Sequence, residues 1–340
     1  MAEEPATVSV CLPLYKAEKS LSAALDSVLQ AAKGFDGWEI VVANDNSPGL
    51  DLKGKNGKKI VQAFRKKWGL KKSQIVYIEH SSNLGLLETR RSLVQAASGQ
   101  YIAMLDADDQ LLPGALSALY MAAQKSGADI VHGQCQAAAE ADQSTLSRDD
   151  ESPAQKRAQY IQKTANSIFF GQLLGPDIFD GFLVRKNHSG FLWGKLIRRS
   201  VYLEALNSIP FSRLVFAEDF LQYFFISRTA KKYLGVQEAV YRYNVDTGIS
   251  SFAKITSLER WEQICSAANV FAIIFSAAKE EGLALSPEQG AALRLQSRSY
   301  LANNLKQLKE AVAPELQEEA RTLLCEYWGE DFVRLAESHL

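Results

Sequence analysis

Cysteine is scarce in this chain of 340 residues, and its four copies are scattered. Cys11, Cys135, Cys265 and Cys325 include no C-x-x-C pair. That spacing speaks against a zinc site or a disulfide framework and fits reduced, buried thiols in cytoplasm. An excess of one charge is lacking too. The 38 basic and 39 acidic residues leave a net charge of −1, which argues against a general nucleic-acid binder. Long apolar runs are missing, and the most apolar stretch, Val270 to Ala278, is too short to span a bilayer. The opening MAEEPAT is acidic and polar where a signal peptide is basic and then apolar. No internal repeat of fixed period is present. These absences leave a cytoplasmic protein, or one peripheral at the inner face of a membrane. With 47% hydrophobic residues it can fill the core of roughly two domains, or of one domain plus an extension.

The first 135 residues alternate apolar strand candidates with helical patterns. The strands are Val8–Leu12, Ile40–Ala43, Ile75–Ile78, Tyr101–Leu105 and the neighbourhood of Ile130–Val131. The helices are Leu21–Ala32, Ile60–Trp68, Leu86–Ala97 and Ala115–Lys125. Such alternation predicts a mainly parallel sheet with helices on both faces. Ala137–Pro153 is small and polar and reads as a linker or loop. From about 155 to 253 the pattern is mixed. Beyond Thr256 it turns helical, with breaks near Gly282–Pro287 and Ala313–Pro314.

The stretch MLDADDQLLPG (104–114) places Asp106, Asp108 and Asp109 directly after an apolar strand. Strand carboxyl ends are where open α/β sheets bind ligands, and like charges this close call for a cation or a wet surface. An EF-hand loop starting at Asp106 fails, because its sixth and twelfth positions would be Leu111 and Ser117. A dehalogenase-type phosphatase carries its acid pair after the first strand, whereas this one follows roughly the fourth. Two readings stay open. One is a hard-cation site sharing a phosphate-bearing substrate. The other is an acidic turn capping a helix that begins at Pro113. A second polar group, Asn44-Asp45-Asn46-Ser47, ends another strand.

VSVCLPLYKAEKSLSAALDSVL, VVANDNSP, NLGLLETRRSLVQAASGQYIAMLDADD and the later FAEDF together resemble the family 2 glycosyltransferases of the inverting GT-A fold. The resemblance runs in order over roughly residues 7–135, with further motifs to about residue 252. It implies a Rossmann-like, mixed and mainly parallel sheet flanked by helices. The implied GT-A domain is 1–253, with a nucleotide-sugar-binding half (1–135) and an acceptor-side half (155–253). A helical C-terminal extension, 254–340, follows. Carried over position by position, Pro13 and Tyr15 lie beside the nucleotide base and Asp45 reads it. Asn83, Gly85 and Arg90 belong to the loop and helix over the nucleotide. Asp106 approaches the ribose, and Asp108 is the ligand of a divalent metal, Mn2+ or Mg2+. The chain departs from the family in Asn44, Asn46 and Arg91, which bears on the choice of base.

In the second half, GFLWGKLIRRSVY (190–202) resembles a further family segment. It offers Lys195 for the diphosphate and Trp193 for a sugar ring, with a surface lysine and a core aromatic as the plainer readings. RLVFAEDFLQYFF (213–225) resembles the family's Glu-Asp helix start, which implies Asp219 as catalytic base with Glu218 beside it orienting the acceptor. Asn244 stands where arginine is frequent. The implied donor is a UDP-sugar and the implied acceptor a glycan or lipid-linked hydroxyl, in cell-surface polysaccharide or glycolipid synthesis. A sugar nucleotidyltransferase would need a Gly-rich basic loop after the first strand, which LPLYKAEKS lacks. A silent nucleotide-sugar-binding scaffold would not need Asp45, Asp108 and Asp219 together.

One charge feature is independent of the family. Leu52 to Ile78 carries nine lysines and arginines and no acid, whereas the chain from Glu310 onward has eight acids against two bases. The basic stretch is either a solvated face or a contact for an anionic membrane, at about 1 kcal/mol per well-placed basic residue. The acidic C-terminal helices are a candidate face for a homo-oligomer.

Overall fold

A computed structural model describes residues 6–138, 153–245, 254–280 and 283–338. The first half runs β1 (Val8–Leu14), α1 (Glu18–Ala31), β2 (Trp38–Asn44), α2 (Gly57–Trp68), β3 (Ile75–Glu79), α3 (Leu86–Ala96), β4 (Tyr101–Met104), β5 (Gln110–Leu111), α4 (Ala115–Ser126) and β6 (Ile130–Ala138). The next part holds α5 (Pro153–Ala165), β7 (Gly171–Leu174), α6 (Pro176–Leu183), β8 (Lys195–Arg198), α7 (Arg199–Asn207), α8 (Glu218–Thr229) and β9 (Lys232–Asn244). Five helices follow: α9 (Leu258–Cys265), α10 (Ala267–Glu280), α11 (Pro287–Glu310), α12 (Gln317–Trp328) and α13 (Glu330–Glu337). The expected loop at 137–153, the last of the family-like motifs (to about residue 252) and the break at Gly282 fall largely outside the described residues.

The chain forms an α/β fold around one mixed sheet, ordered β3-β2-β1-β4-β8-β6-β9-β5, with β7 also on β9. The expectation of a mainly parallel sheet holds only for its first part. β1 pairs in parallel with β2 and β4, and β2 with β3. β8 then enters between β4 and β6 antiparallel to both. β6 and β9 are parallel, but β5 and β7 lie antiparallel on β9. The β6–β9 ladder shifts register between His132 and Cys135, and such bulges bend a strand and increase its twist.

β1 is a switch point, with β2 on one side and β4 on the other, so a crevice opens at the carboxyl ends of these strands. Tyr15, Asp45 and Asp106 follow β1, β2 and β4 at that edge. Alternation along each strand divides the core in two. Val8, Val10 and Leu12 join Ile40 and Val42 on the face covered by α1, α2 and α4. Cys11 joins Val41, Ile102 and Met104 on the face covered by α3, α7, α8 and α10.

The C-terminal helices are not appended loosely. Val270, Phe271 and Ile274 of α10 are within the second of these faces. Trp261, Leu301, Leu305 and Leu324 form a third cluster, where the Trp261 indole donates to the Ala320 carbonyl at 2.7 Å. Leu258–Lys279 has the length and hydropathy to cross a membrane, extending the run noted at 270–278. Yet 56% of its most apolar window is buried inside the protein, as in a core helix.

Gly85, which caps α3, has φ 88° and ψ 165°, a region essentially reserved for glycine. An added Cβ would meet the Arg213 and Leu214 backbone at 2.9–3.1 Å. Gly69, past the end of α2 at φ 62°, has open space around it. Gly85→Ala is therefore expected to destabilise by about 1–3 kcal/mol or more, and Gly69→Ala by only about 1–2 kcal/mol. Urea unfolding of both variants measures the difference; equal losses would mean that the contact with 213–214 contributes nothing.

Candidate active site

The 106–109 turn is not a helix cap. α4 starts at Ala115 after Gly114, and Pro113 precedes it, so the acids stand apart from any helix start. β5 instead pins the turn to β9 through Gln110 and Leu111. The three acids meet three environments. Asp109 is buried: its Oδ2 accepts from the Tyr241 hydroxyl at 2.8 Å and its Oδ1 from the Asn244 amide N–H at 2.7 Å. Burial, with Asp108 and Asp106 nearby, holds its carboxyl well above the usual range. Asp106 accepts from Arg90 at 2.9 Å. Asp108 is half-buried, and its carbonyl accepts from the Asn244 side chain at 2.7 Å. That contact gives Asn244 a structural task where the family-like pattern has arginine.

Asp45 is buried, and its carboxylate shapes a loop. Oδ1 accepts from Leu84 N–H at 2.8 Å and Oδ2 from Gly85 N–H at 2.9 Å. Oδ1 also meets His80 Nδ1 at 2.8 Å, and His80 Nε2 reaches Ser92 Oγ at 3.0 Å. Asn83 donates to the Asp45 carbonyl at 3.3 Å. Pro13 is buried in β1 and Tyr15 is half-buried beyond it, beside Lys16, whose N–H donates to Ser47 Oγ at 2.8 Å. Asn44 holds the edge by donating to Tyr77 and accepting from Ser47 N–H, each at 2.8 Å.

Arg90, 2% exposed, spans the site. One guanidinium nitrogen donates to Asp106 and another to Glu218 Oε1. Burial opposes its charge, but Asp106 and Glu218 outweigh burial and raise its pKa. Ala217, in the left-handed region at φ 61°, turns the chain so that Glu218 and Asp219 open α8. Burial raises the carboxyl pKa of both acids, against the pull of Arg90. The two differ in setting. Glu218 is buried and held by Arg90, whereas Asp219 is half-buried on the wall of a cavity of about 280 Å3.

Two expected contacts are corrected. Lys195 is 1% exposed, and its ammonium donates to the Phe191 carbonyl at 2.5 Å and to Ser189 Oγ at 3.4 Å. It staples its own loop from inside and is closed off from a diphosphate at the crevice. Burial lowers its pKa to about 7, with Asp219 pulling the other way. Trp193 is buried in a stack, 4.6 Å from the Phe191 ring and 4.9 Å from Tyr241, so its rings serve packing and not a sugar. Sequence reasoning missed His80, Tyr241 and Glu18. Glu18 is 2% exposed and lies against Gly49.

Among the described residues no group of three His, Cys, Asp or Glu side chains could hold a metal ion. Asp106 and Asp109 are engaged by Arg90, Tyr241 and Asn244, and the expected ligand, Asp108, is half-buried on the same turn. One carboxylate fits a magnesium-type cation whose remaining ligands are water and substrate phosphates.

With this geometry in view, residues 9–224 match the model of the family described as Glycosyl transferase family 2, and the chain belongs to that family of glycosyltransferases. It is 27% identical over 128 residues to the Poly(ribitol-phosphate) beta-glucosyltransferase of Bacillus spizizenii, covering 37% of this chain and 19% of that protein. It is 30% identical over 126 residues to Glycosyltransferase GlyA of Streptococcus pneumoniae, covering 37% of this chain and 16% of that protein. The matches thus span less than a fifth of either relative. S. aureus TarS 1–349 in complex with UDP-GlcNAc has a TM-score of 0.53 at 16% identity, over 98% of this chain and 92% of that one. The mannosyltransferase PcManGT of Pyrobaculum calidifontis, in complex with GDP-Man and Mn2+, gives 0.53 at 14%, over 98% and 84%. At these identities the likeness is one of fold.

The buried Lys195 generates a pH prediction. Its folded pKa lies below the unfolded value, so the unfolded chain binds more protons between pH about 7 and 10.5. Its contribution to stability is then least favourable below pH about 7 and recovers as pH rises toward 10.5. The parent should gain stability relative to Lys195→Met across that window, by at most about 1.4 kcal/mol per pH unit. Parallel curves for the two proteins in urea unfolding from pH 6 to 10 would show an unperturbed lysine.

Proposed function

We propose that this chain moves a sugar from a nucleotide-diphosphate donor, a UDP-sugar first, to an acceptor hydroxyl with inversion at the anomeric carbon. One observation carries the reading: Arg90 ties Asp106, at the donor edge of the sheet, to Glu218, and so fixes Asp219 on a cavity wall. A direct displacement needs a base on the side opposite the leaving diphosphate, oriented when the hydroxyl attacks. Asp219 takes that proton, and burial, against the pull of Arg90, raises its carboxyl pKa, which strengthens it as a proton acceptor. Glu218 orients the acceptor, Pro13 and Tyr15 flank the nucleotide base, and Asp45 reads that nucleotide base beside the 83–85 loop it holds. Asp106 approaches the ribose. A divalent cation, Mn2+ or Mg2+, held on Asp108 and completed by the donor, would offset charge on the leaving diphosphate.

TarS with UDP-GlcNAc and the poly(ribitol-phosphate) glucosyltransferase support a UDP donor and a cell-surface polymer or lipid-linked acceptor. PcManGT with GDP-Man keeps the base a matter for experiment. The division into a GT-A domain, 1–253, and a helical extension, 254–340, belongs to the same reading. A cytoplasmic enzyme meeting such an acceptor would sit at the inner face of a membrane. Leu52 (87% exposed) and Trp68 stand out among the lysines of the 52–78 stretch, with the exposed Leu50 just before it, which supports docking on anionic lipid. The acidic C-terminal helices are the complementary face for a homo-oligomer.

Three experiments test this. In thermal-shift assays with UDP- and GDP-sugars, Asp108→Asn should lose the manganese-dependent part of the donor shift. Asp219→Asn should keep that shift yet transfer sugar at least about a hundredfold more slowly. Near-parent turnover in Asp219→Asn, with Glu218→Gln inactive, would move the base to Glu218. The protein should also co-sediment with anionic liposomes at low salt and be released as salt screens the attraction. Equal recovery on neutral liposomes would reduce the basic stretch to a solvated face.

A further inference from the structure

The cavity beside Asp219 is finished by a helix that lies beyond the family match. That match ends at residue 224, yet α11 sends Gln296 and Tyr300 into the cavity wall. The two are four residues apart and share one helix face. α11 is held firmly. Ser286 and Gln289 form a capping box at its start, and the Gln289 amide donates to Asp180 on α6 at 2.7 Å. Leu293 is buried in the main core. The Tyr300 ring packs 5.4 Å from Phe271 and 6.2 Å from Phe220.

The size and chemistry of the cavity limit what it takes. At about 280 Å3 it lies just below the roughly 300–1,000 Å3 of pockets for drug-sized ligands. It has room for one sugar ring. Phe182, Phe191 and Phe220 make part of the lining apolar, while Gln296 and the Tyr300 hydroxyl can exchange hydrogen bonds with hydroxyls. Its charged groups are Asp219 and the exposed Lys186 at the rim. Burial, with Lys195 and Arg185, lowers the His188 pKa to about 3 and keeps that ring neutral. One acid balanced by one rim cation suits a neutral hydroxylated ring better than a phosphate.

We propose that this cavity is the acceptor subsite, that it holds one neutral sugar ring, and that Gln296 and Tyr300 of α11 determine which ring is accepted. The C-terminal helices then set specificity for chemistry carried out by the family domain. The proposal rests on the reading of Asp219 as the base.

The test uses the full chain, the UDP-sugar giving the largest thermal shift, and the methyl glycosides of glucose, galactose and N-acetylglucosamine as acceptors. Gln296→Ala and Tyr300→Phe should raise the acceptor KM roughly tenfold, the weight of one hydrogen bond of about 1.4 kcal/mol. They should leave kcat within a few-fold, leave the donor-induced thermal shift intact and change the order of preference among the glycosides. Parent-like KM values and preferences in both folded variants, with Asp219→Asn inactive, overturn the subsite alone. Parent-like transfer by Asp219→Asn overturns the base and the subsite with it. If the parent transfers to none of the glycosides, saturation-transfer NMR decides. Signals weakened by Gln296→Ala uphold the subsite; no signal, or one unchanged in that variant, overturns it.

Discussion

A buried arginine between two carboxylates is the constraint on which the rest of the site depends. Arg90 takes its side chain almost wholly out of water, which is tolerable only because Asp106 and Glu218 surround it. Removing one partner of such a group leaves an uncompensated buried charge, at a cost of about 3–5 kcal/mol. The pairing fixes more than stability. Asp106 follows β4, Arg90 lies on α3, and Glu218 is the first residue of α8. Three elements widely separated in sequence are thereby held to one geometry, and Asp219 inherits its place from Glu218.

The parts of the fold legible in the sequence were those whose patterns are local. β1, β2 and β4 are short apolar runs, and α1 to α4 follow them at helical period, so their order and their crevice could be read directly. β8 could not. Its four residues, Lys195–Arg198, sit in a mixed stretch, and nothing local says that they enter the sheet between β4 and β6 in the opposite direction. β5, of two residues, is a strand only because Arg242 and Tyr241 pair with it. Both are tertiary facts, and both convert a mainly parallel expectation into a mixed sheet.

The site divides along the same line. Acids at strand ends are visible in sequence because turns and apolar runs flank them. Their partners are not visible. His80 is 35 positions from Asp45, and Tyr241 is 132 from Asp109. Lys195 and Trp193 carried side chains suited to a diphosphate and a sugar, yet burial turned one into a loop staple and the other into packing. Residue type announces what a side chain could do, whereas burial decides whether it can meet a ligand.

The three acids after β4 illustrate that rule within four residues. Asp109 is drawn inside, where burial and its two neighbours favour the protonated form and Tyr241 and Asn244 secure it. Asp106 is committed to Arg90. Asp108 remains half-buried, with its backbone carbonyl fixed by Asn244. A cluster of like charges is thus dispersed by environment: one carboxyl held toward neutrality, one paired, and one on a turn that its neighbours hold in place. The repulsion that makes DADD look costly on paper is relieved mostly by the protein itself. A cation is therefore not needed to neutralise the cluster.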